Sequence, residues 1–454
     1  MRSLALQRLF APIDIAWLVY FRLVFGAIML WEVYRYFDRG WIERYFIDPT
    51  YFFTYLGFGW VRPWEGDLMY AHFYALGFLA AMIMLGLFYR VAAALFLLGF
   101  TQWFLIDQAN YLNHFYLISL VSFLMVFLPA HRAWSLDALI WPRLRSDTVP
   151  AWTLWLMRAQ IGIPYFYGGL AKLNGDWLRG YPMKMWLPSN DDIPMVGAWL
   201  DEATIVLLVS YGGLLLDLLV VPLLLWKPTR VGAYVLATLF HLANAWLFRI
   251  GIFPWFMIAA TLIYFPPHWP RLLLSFGRRT ATRATGAAAP SGPLRPTQRI
   301  QITLVLVYLA VQLVLPLRHF LYPGPVSWTE EGHLFAWHMK LRDKDGWVRF
   351  VVTDPATGKT WMIDPQEHLS RRQANRMEGW PDMIHLFSLY LAEQYRQEGH
   401  SPVEVRAEAM ASLNGREHQL LIDPTVDLAA RARTLRPAEW IMPLYKRLPD
   451  ARQP

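Results

Sequence analysis

Apolar runs close to twenty residues long recur between Ala16 and Leu317, and nothing constrains the fold of this chain more. A helix needs about 20 such residues to cross the hydrocarbon of a bilayer. Backbone in lipid must also satisfy its own hydrogen bonds, so runs of this length fold as spanning helices. Hydropathy places about nine of them, near 16–36, 67–88, 91–108, 113–129, 152–172, 204–226, 229–248, 251–266 and 300–317. The chain is 56% hydrophobic and only 17% charged over 454 residues, and its 23 Trp and 22 Tyr suit aromatic belts at two interfaces. With a cytoplasmic N-terminus, Arg2, Arg8, Arg90, Arg132, Arg143, Arg145, Lys227, Arg230, Arg271, Arg278, Arg279, Arg283, Arg295 and Arg299 all fall inside, which is a positive-inside bias. The same loop arginines account for the formal charge of +8, so nucleic acid is not expected as a partner; the bilayer is. The first 15 residues hold no cleavable apolar segment, so no removable signal peptide is expected. Absence of cysteine excludes disulfides, thiolate catalysis and cysteine metal sites.

The expected fold class is an all-α polytopic membrane bundle with a C-terminal extramembrane α+β domain. Residues 1–317 form the transmembrane part, with an Ala-, Pro- and Gly-rich cytoplasmic linker at 278–298. An odd number of spans puts 318–454 outside. Within it, Val348 to Thr353 and Lys359 to Asp364 alternate around a turn, and Asn414-Gly415 joins Val403–Leu413 to Glu417–Asp423 as a hairpin. A helical pattern from Ser370 to Glu398 should break or restart at Pro381. There is no phosphate-binding glycine loop and no metalloprotease helix motif, so nucleotide and zinc chemistry are not indicated.

Polar residues inside spans are costly unless paired or wetted, so they mark candidate sites. The topology brings Asn113 and His114, Lys172, and His241 with Asn244 to the external halves of three different spans. Lys172 ends the apolar stretch Ala151 to Ala171, where desolvation disfavours an ammonium and favours the neutral amine, a strong base. The other reading of Lys172 is a side chain that snorkels to the interface. His241 lies about 18 Å into its helix. Phe253, Met257 and their aromatic neighbours could wall a flat, lipid-soluble ring next to it. The loop Asp176 to Glu202 is a candidate lid or an ordinary interfacial loop. Arg22, Arg158 and Asp217 sit nearer the middle and are expected to form a structural charge network, because an unpaired buried arginine is costly.

Taken together, Phe21-Arg22-Leu23-Val24-Phe25-Gly26, Asn113-His114-Phe115-Tyr116, Gly169 to Trp177 with Gly180-Tyr181, Gly212 to Leu218, Phe240-His241 with Asn244, and Asp423-Pro424-Thr425-Val426-Asp427 resemble the vitamin K-dependent gamma-glutamyl carboxylases. Their bacterial relatives are the horizontally transferred transmembrane domain proteins. The resemblance implies that Lys172 deprotonates a naphthohydroquinone, with Asn113, His114 and His241 as further catalytic groups. It implies that the quinol anion takes up O2, collapses toward the 2,3-epoxide, and yields a base strong enough to let CO2 add to a glutamate γ-carbon. The implied cosubstrates are reduced vitamin K or menaquinol, O2 and CO2, with no metal. Tyr111, Asn244, Phe253 and Met257 are the expected quinol contacts and Trp337 the expected polypeptide contact. The implied partners are an external glutamate-containing polypeptide and a quinone reductase for recycling. Two departures weaken carboxylation relative to quinol oxidation: animal members have a longer lumenal tail, and Met362 stands where the family usually has an aromatic residue. A quinol epoxidase without carboxylation and a non-enzymatic membrane scaffold are the alternatives. The short, arginine-rich, cysteine-free chain reads as bacterial, which places the site at the periplasmic face of the cytoplasmic membrane; in a eukaryote it would face the endoplasmic reticulum lumen.

Overall fold

A computed structural model describes residues 6–188, 197–200, 202–248, 250–274, 293–400 and 402–449. Most of the predicted linker, and the middle of the proposed lid loop, lie outside these residues. Among the described residues a helix falls on each predicted run: α1 (Ala16–Asp38), α2 (Asp67–Leu85), α3 (Tyr89–Leu105), α4 (Asn113–Phe127), α5 (Ala151–Ala171), α6 (Ala203–Leu225), α7 (Arg230–Phe248), α8 (Phe253–Thr261) and α9 (Pro296–Val314). Five of them, α1, α2, α6, α7 and α9 with its 3-10 extension to Leu321, are long and apolar enough to cross a membrane. Helices α3, α4 and α8 are shorter, and α5, unbroken over 21 residues, carries Arg158 and Gln160 within it. Short segments of this kind are accommodated by packing against longer neighbours.

Lipid is as apolar as leucine, so helices in a bilayer are held by close packing and by hydrogen bonds between them. Both devices operate here. A two-stranded ribbon, β1 (Pro12–Asp14) against β2 (Thr148–Pro150), ties the starts of α1 and α5 together. Asp14 accepts from the Ala16 amide at 2.8 Å and pairs with Arg271 at 2.9 Å. Tyr308 of α9 donates to Gln160 of α5 at 2.6 Å.

Glycine sets the approach of α5 to α6. A methyl group on Gly169 would lie 2.8 Å from Leu218 Cγ and Cδ2 and 3.0 Å from its backbone nitrogen. Leu218 follows Asp217, so this contact also fixes where Asp217 stands. Gly169→Ala should push the helices apart and destabilise the protein by about 1–3 kcal/mol. Thermal unfolding in micelles checks this, and an unshifted melting temperature would show that the pair has room to spare.

The expected charge network among Arg22, Arg158 and Asp217 does not form. Arg22, fully buried, donates instead to the carbonyls of Ala130 at 2.9 Å, Ala133 at 3.4 Å and Trp134. Arg158 donates to the carbonyls of Ile263 at 2.9 Å and of Tyr264 and Phe265 at 3.1 Å. Loop and helix-end carbonyls thus take up donors of both guanidinium groups without a second charge, although Arg22 Nε is buried with no partner among the described residues.

The C-terminal region carries the antiparallel sheet β4-β3-β5-β6, from β3 (Lys344–Thr353), β4 (Thr360–Ile363), β5 (Glu404–Leu413) and β6 (Gln419–Leu420). Val348, Phe350 and Val352 alternate inward with Val405, Ala407, Ala409 and Ala411. They pack on Met383, Ile384, Phe387 and Leu391 of α11 (Pro381–Gln397), which restarts at Pro381 after α10 (Arg371–Met377). The Asn414-Gly415 turn has φ of +54° and +74°, as the tight hairpin requires. It is also a docking point. Asn414 accepts from the Asp343 amide at 2.9 Å and donates to Asp176 at 2.8 Å, while Arg416 binds both oxygens of Asp176 at 2.7 Å. Asp176 lies four residues beyond Lys172, so this domain is clamped onto the end of α5 that carries the lysine.

Candidate active site

Helix α5 ends at Lys172 because Asn174 takes over its last hydrogen bonds. The Asn174 amide donates to the Ala171 carbonyl at 2.8 Å, and its oxygen caps the next turn through Asp176 N at 3.1 Å and Trp177 N at 3.0 Å. Lys172 is thereby held at the bundle wall instead of reaching outward, and only 6% of it is exposed. Snorkelling is excluded by that geometry. Its Nζ makes a close ion pair with Asp217 of α6 and stands 5.3 Å from the Trp177 ring. Trp177 is fixed in turn by donating Nε1 to the Ser210 carbonyl at 2.8 Å.

This pair lines a cavity of ≈ 570 Å³ between α5, α6, α7 and α8. Leu216, Val220, Phe240, Phe253 and Met257 give it apolar walls, and His241 and Asn244 also face it. Leu215, Leu219 and Leu236 line it while staying about half exposed, so it opens sideways between α6 and α7 toward lipid. Met339 and Lys340 cover it from the C-terminal side. His241 is 2% exposed and bonds through Nε2 to Tyr165 Oη at 2.7 Å; its Nδ1 has no partner among the described residues. A buried ring nitrogen without a partner, beside an apolar cavity with one ion pair, fits a flat ligand bearing polar oxygens.

Five of the nine residues singled out from the sequence meet here: Lys172, His241, Asn244, Phe253 and Met257. The other four stand outside the cavity lining. His114 packs on Phe253, with ring centroids 5.9 Å apart, and Phe253 in turn meets His241 at 5.8 Å. Asn113 donates to the His338 carbonyl at 3.0 Å and accepts from Tyr111 Oη at 3.0 Å, while Tyr111 accepts from the Phe335 amide at 2.8 Å. Trp337 is 1% exposed and lies against Tyr116 with centroids 4.8 Å apart, so its ring faces the helix bundle instead of a polypeptide. These contacts hold the backbone from Phe335 to Lys340, where Phe335, Trp337 and Lys340 have φ of +61°, +60° and +48°. Strained non-glycine conformations persist only where neighbours impose them. Asn113, Tyr111 and Trp337 thus set the position of Met339 and Lys340 over the cavity. His338 is buried beside them; desolvation, then the neighbouring His319 and Arg342, push its imidazole down to about 3, so it carries no charge at neutral pH.

Sequence reasoning missed Asp217 as the partner of Lys172, and it missed Tyr165, Trp177, Met339 and Lys340. The signal for Asp217 was in the chain, since a carboxylate in an otherwise apolar span demands a cation. It was assigned to the wrong cation. Among the described residues no cluster of His, Asp and Glu could hold a metal ion.

Residues 10–269 match the HTTM domain family, more than half of the chain, and residues 297–447 match the family described as vitamin K-dependent gamma-carboxylase, lumenal domain. No solved structure matches. The two matches follow one another along one integral membrane protein, and this chain belongs to the vitamin K-dependent gamma-carboxylase family.

Proposed function

We propose that the chain is a naphthoquinol-dependent γ-glutamyl carboxylase crossing the membrane nine times, with residues 318–454 and the cavity on the external face, periplasmic in a bacterium. The observation that carries this reading is the buried Lys172–Asp217 pair at the end of an apolar, lipid-facing cavity. Reduced vitamin K or menaquinol suits the cavity by volume, since sites for ligands of this size run from about 300 to 1,000 Å³. Phe253, Met257 and Leu216 would hold the ring, and His241 and Asn244 would meet its oxygens. Bound there with O2, the quinol supplies the strong base that glutamate carboxylation with CO2 requires.

The chain's own part is proton handling. Lys172 passes one proton to Asp217 and takes another from the ligand hydroxyl, so the proton finally rests on the Asp217 carboxyl. Lys172 is an ammonium before and after the relay, and one negative charge moves from Asp217 to the ligand. The number of buried charges does not change, which keeps the step free of a new desolvation cost. Apolar burial alone, the expectation from sequence, would have had to leave a neutral amine without help.

The burial of Trp337 favours a second reading, quinol epoxidation without glutamate as acceptor, because the residue expected to meet the polypeptide is covered. One experiment separates them. Purified protein in lipid nanodiscs, given a reduced naphthoquinone, O2, labelled CO2 and a glutamate peptide, should form epoxide and label the peptide. Epoxide without label supports the second reading, and no epoxide from vitamin K hydroquinone or menaquinol sinks both.

A further inference from the structure

We infer that Tyr165 is a positioning residue that fixes His241 in the tautomer with hydrogen on Nδ1, so that the imidazole donates a hydrogen bond to an oxygen in the cavity. The inference rests on the reading of the cavity given above and adds a role for a residue outside the set expected from sequence. Tyr165 Oη lies 2.7 Å from His241 Nε2 and 3.2 Å from Thr261 Oγ1, and all three residues are buried. Three hydrogen arrangements satisfy these contacts. In the first, Thr261 donates to Tyr165 and Tyr165 donates to Nε2, so both hydroxyl hydrogens are used and, among the described residues, Nδ1–H alone is left without an acceptor. In the second, Nε2–H donates to Tyr165 and Tyr165 donates to Thr261; in the third, Nε2–H and Thr261 both donate to Tyr165. Each of these leaves two groups unmet among the described residues, one hydroxyl hydrogen and the bare Nδ1. The first arrangement therefore prevails, and its one unmet hydrogen, on Nδ1, is the one an oxygen in the cavity can meet.

The consequence is chemical. A hydrogen on Nδ1 makes His241 a donor to whichever oxygen gains charge when Lys172 accepts a proton, and a donor preset in this way needs no reorganisation during the step. With the tyrosine hydroxyl removed, nothing holds the hydrogen off Nε2, since the tautomer of a neutral imidazole follows the bond its other nitrogen makes. His241 then offers an acceptor where a donor is needed.

The test begins without ligand. Nitrogen NMR of histidine-labelled full-length protein in nanodiscs, with the His241 signals assigned by difference from His241→Gln, should show Nδ1 protonated and Nε2 as acceptor. Tyr165→Phe should reverse the two. In turnover with reduced vitamin K, Tyr165→Phe should lower kcat for epoxide formation on the order of 10²-fold, with KM changed less than about twofold. The double variant Tyr165→Phe/His241→Asn should recover activity over Tyr165→Phe, because an asparagine amide presents N–H at the Nδ1 position without a tyrosine to set it. A wild-type spectrum with hydrogen on Nε2, or a Tyr165→Phe spectrum like that of wild type, overturns the inference. The spectra are recorded without quinol, so a wild type that forms no epoxide would sink the functional reading alone and leave the tautomer assignment standing.

Discussion

Lys172→Ala should abolish epoxide formation from a reduced naphthoquinone, by at least about 10³-fold, toward the upper end of what a positioned acid–base group contributes. The size of the effect follows from two losses at once. The relay between ligand and Asp217 disappears, and so does the ammonium that would balance the negative charge arriving on the ligand oxygen. The other cation lining the cavity, Lys340, stands over the Trp186 and Phe248 rings at 5.1 Å, and Arg22 and Arg158 are committed to backbone carbonyls. Lys172→Arg should fail nearly as completely, because a guanidinium does not give up its proton and its planar fork would not fit against Asp217 and the Trp177 face as an ammonium does. Quinone binding should persist in both variants, since the apolar walls are untouched, and quenching of tryptophan fluorescence by the quinone measures it. Turnover above about a tenth of wild type in Lys172→Ala would remove the base from the mechanism. Loss of binding together with turnover would assign Lys172 to holding the ligand instead.

How much of this could be read from the chain depends on the range of the interaction. Span positions were legible because each rests on a local run of apolar residues, and helix ends fall within a few residues of the expected places at Ala16, Asn113 and Phe248. The hairpins were legible for the same reason: Asn414-Gly415 needs positive φ wherever it stands. Convergence of Lys172 and His241 followed from topology, which counts crossings and ignores distance. Pairing did not follow, because it depends on rotation of one helix about its axis against another. Gly169 lets α6 approach so that Asp217 meets Lys172, and the same rotation turns Arg158 toward the α8 end, 14 residues away along α5. Trp337 was misplaced for a related cause. It precedes the sheet in sequence, yet the backbone around it turns back through three left-handed residues into the bundle. Periodicity carries no sign of such a reversal.

Asp217→Leu should be the most destabilising single change in the bundle, and Lys172→Met in the same chain should largely undo the damage without restoring activity. Removing the carboxylate leaves a buried ammonium whose remaining neighbours among the described residues are the Gly168 carbonyl, at 3.4 Å, and the Trp177 ring, at 5.3 Å. Breaking a buried pair in this way costs about 3–5 kcal/mol. Replacing both partners by apolar groups of similar size removes the desolvation cost along with the attraction, and such exchanges are neutral or even stabilising by about 1–4 kcal/mol. Unfolding of the three variants in micelles, compared with wild type as a double-mutant cycle, should therefore give a coupling energy of several kcal/mol, the order expected when one partner is stranded. Epoxide formation should be absent in all three. A pair kept only to hold α5 against α6 would give a different pattern, because the double variant would then recover function as well as stability. Stability regained with activity still missing would mean that the charges are retained for chemistry, at a site where Leu and Met would pack as well.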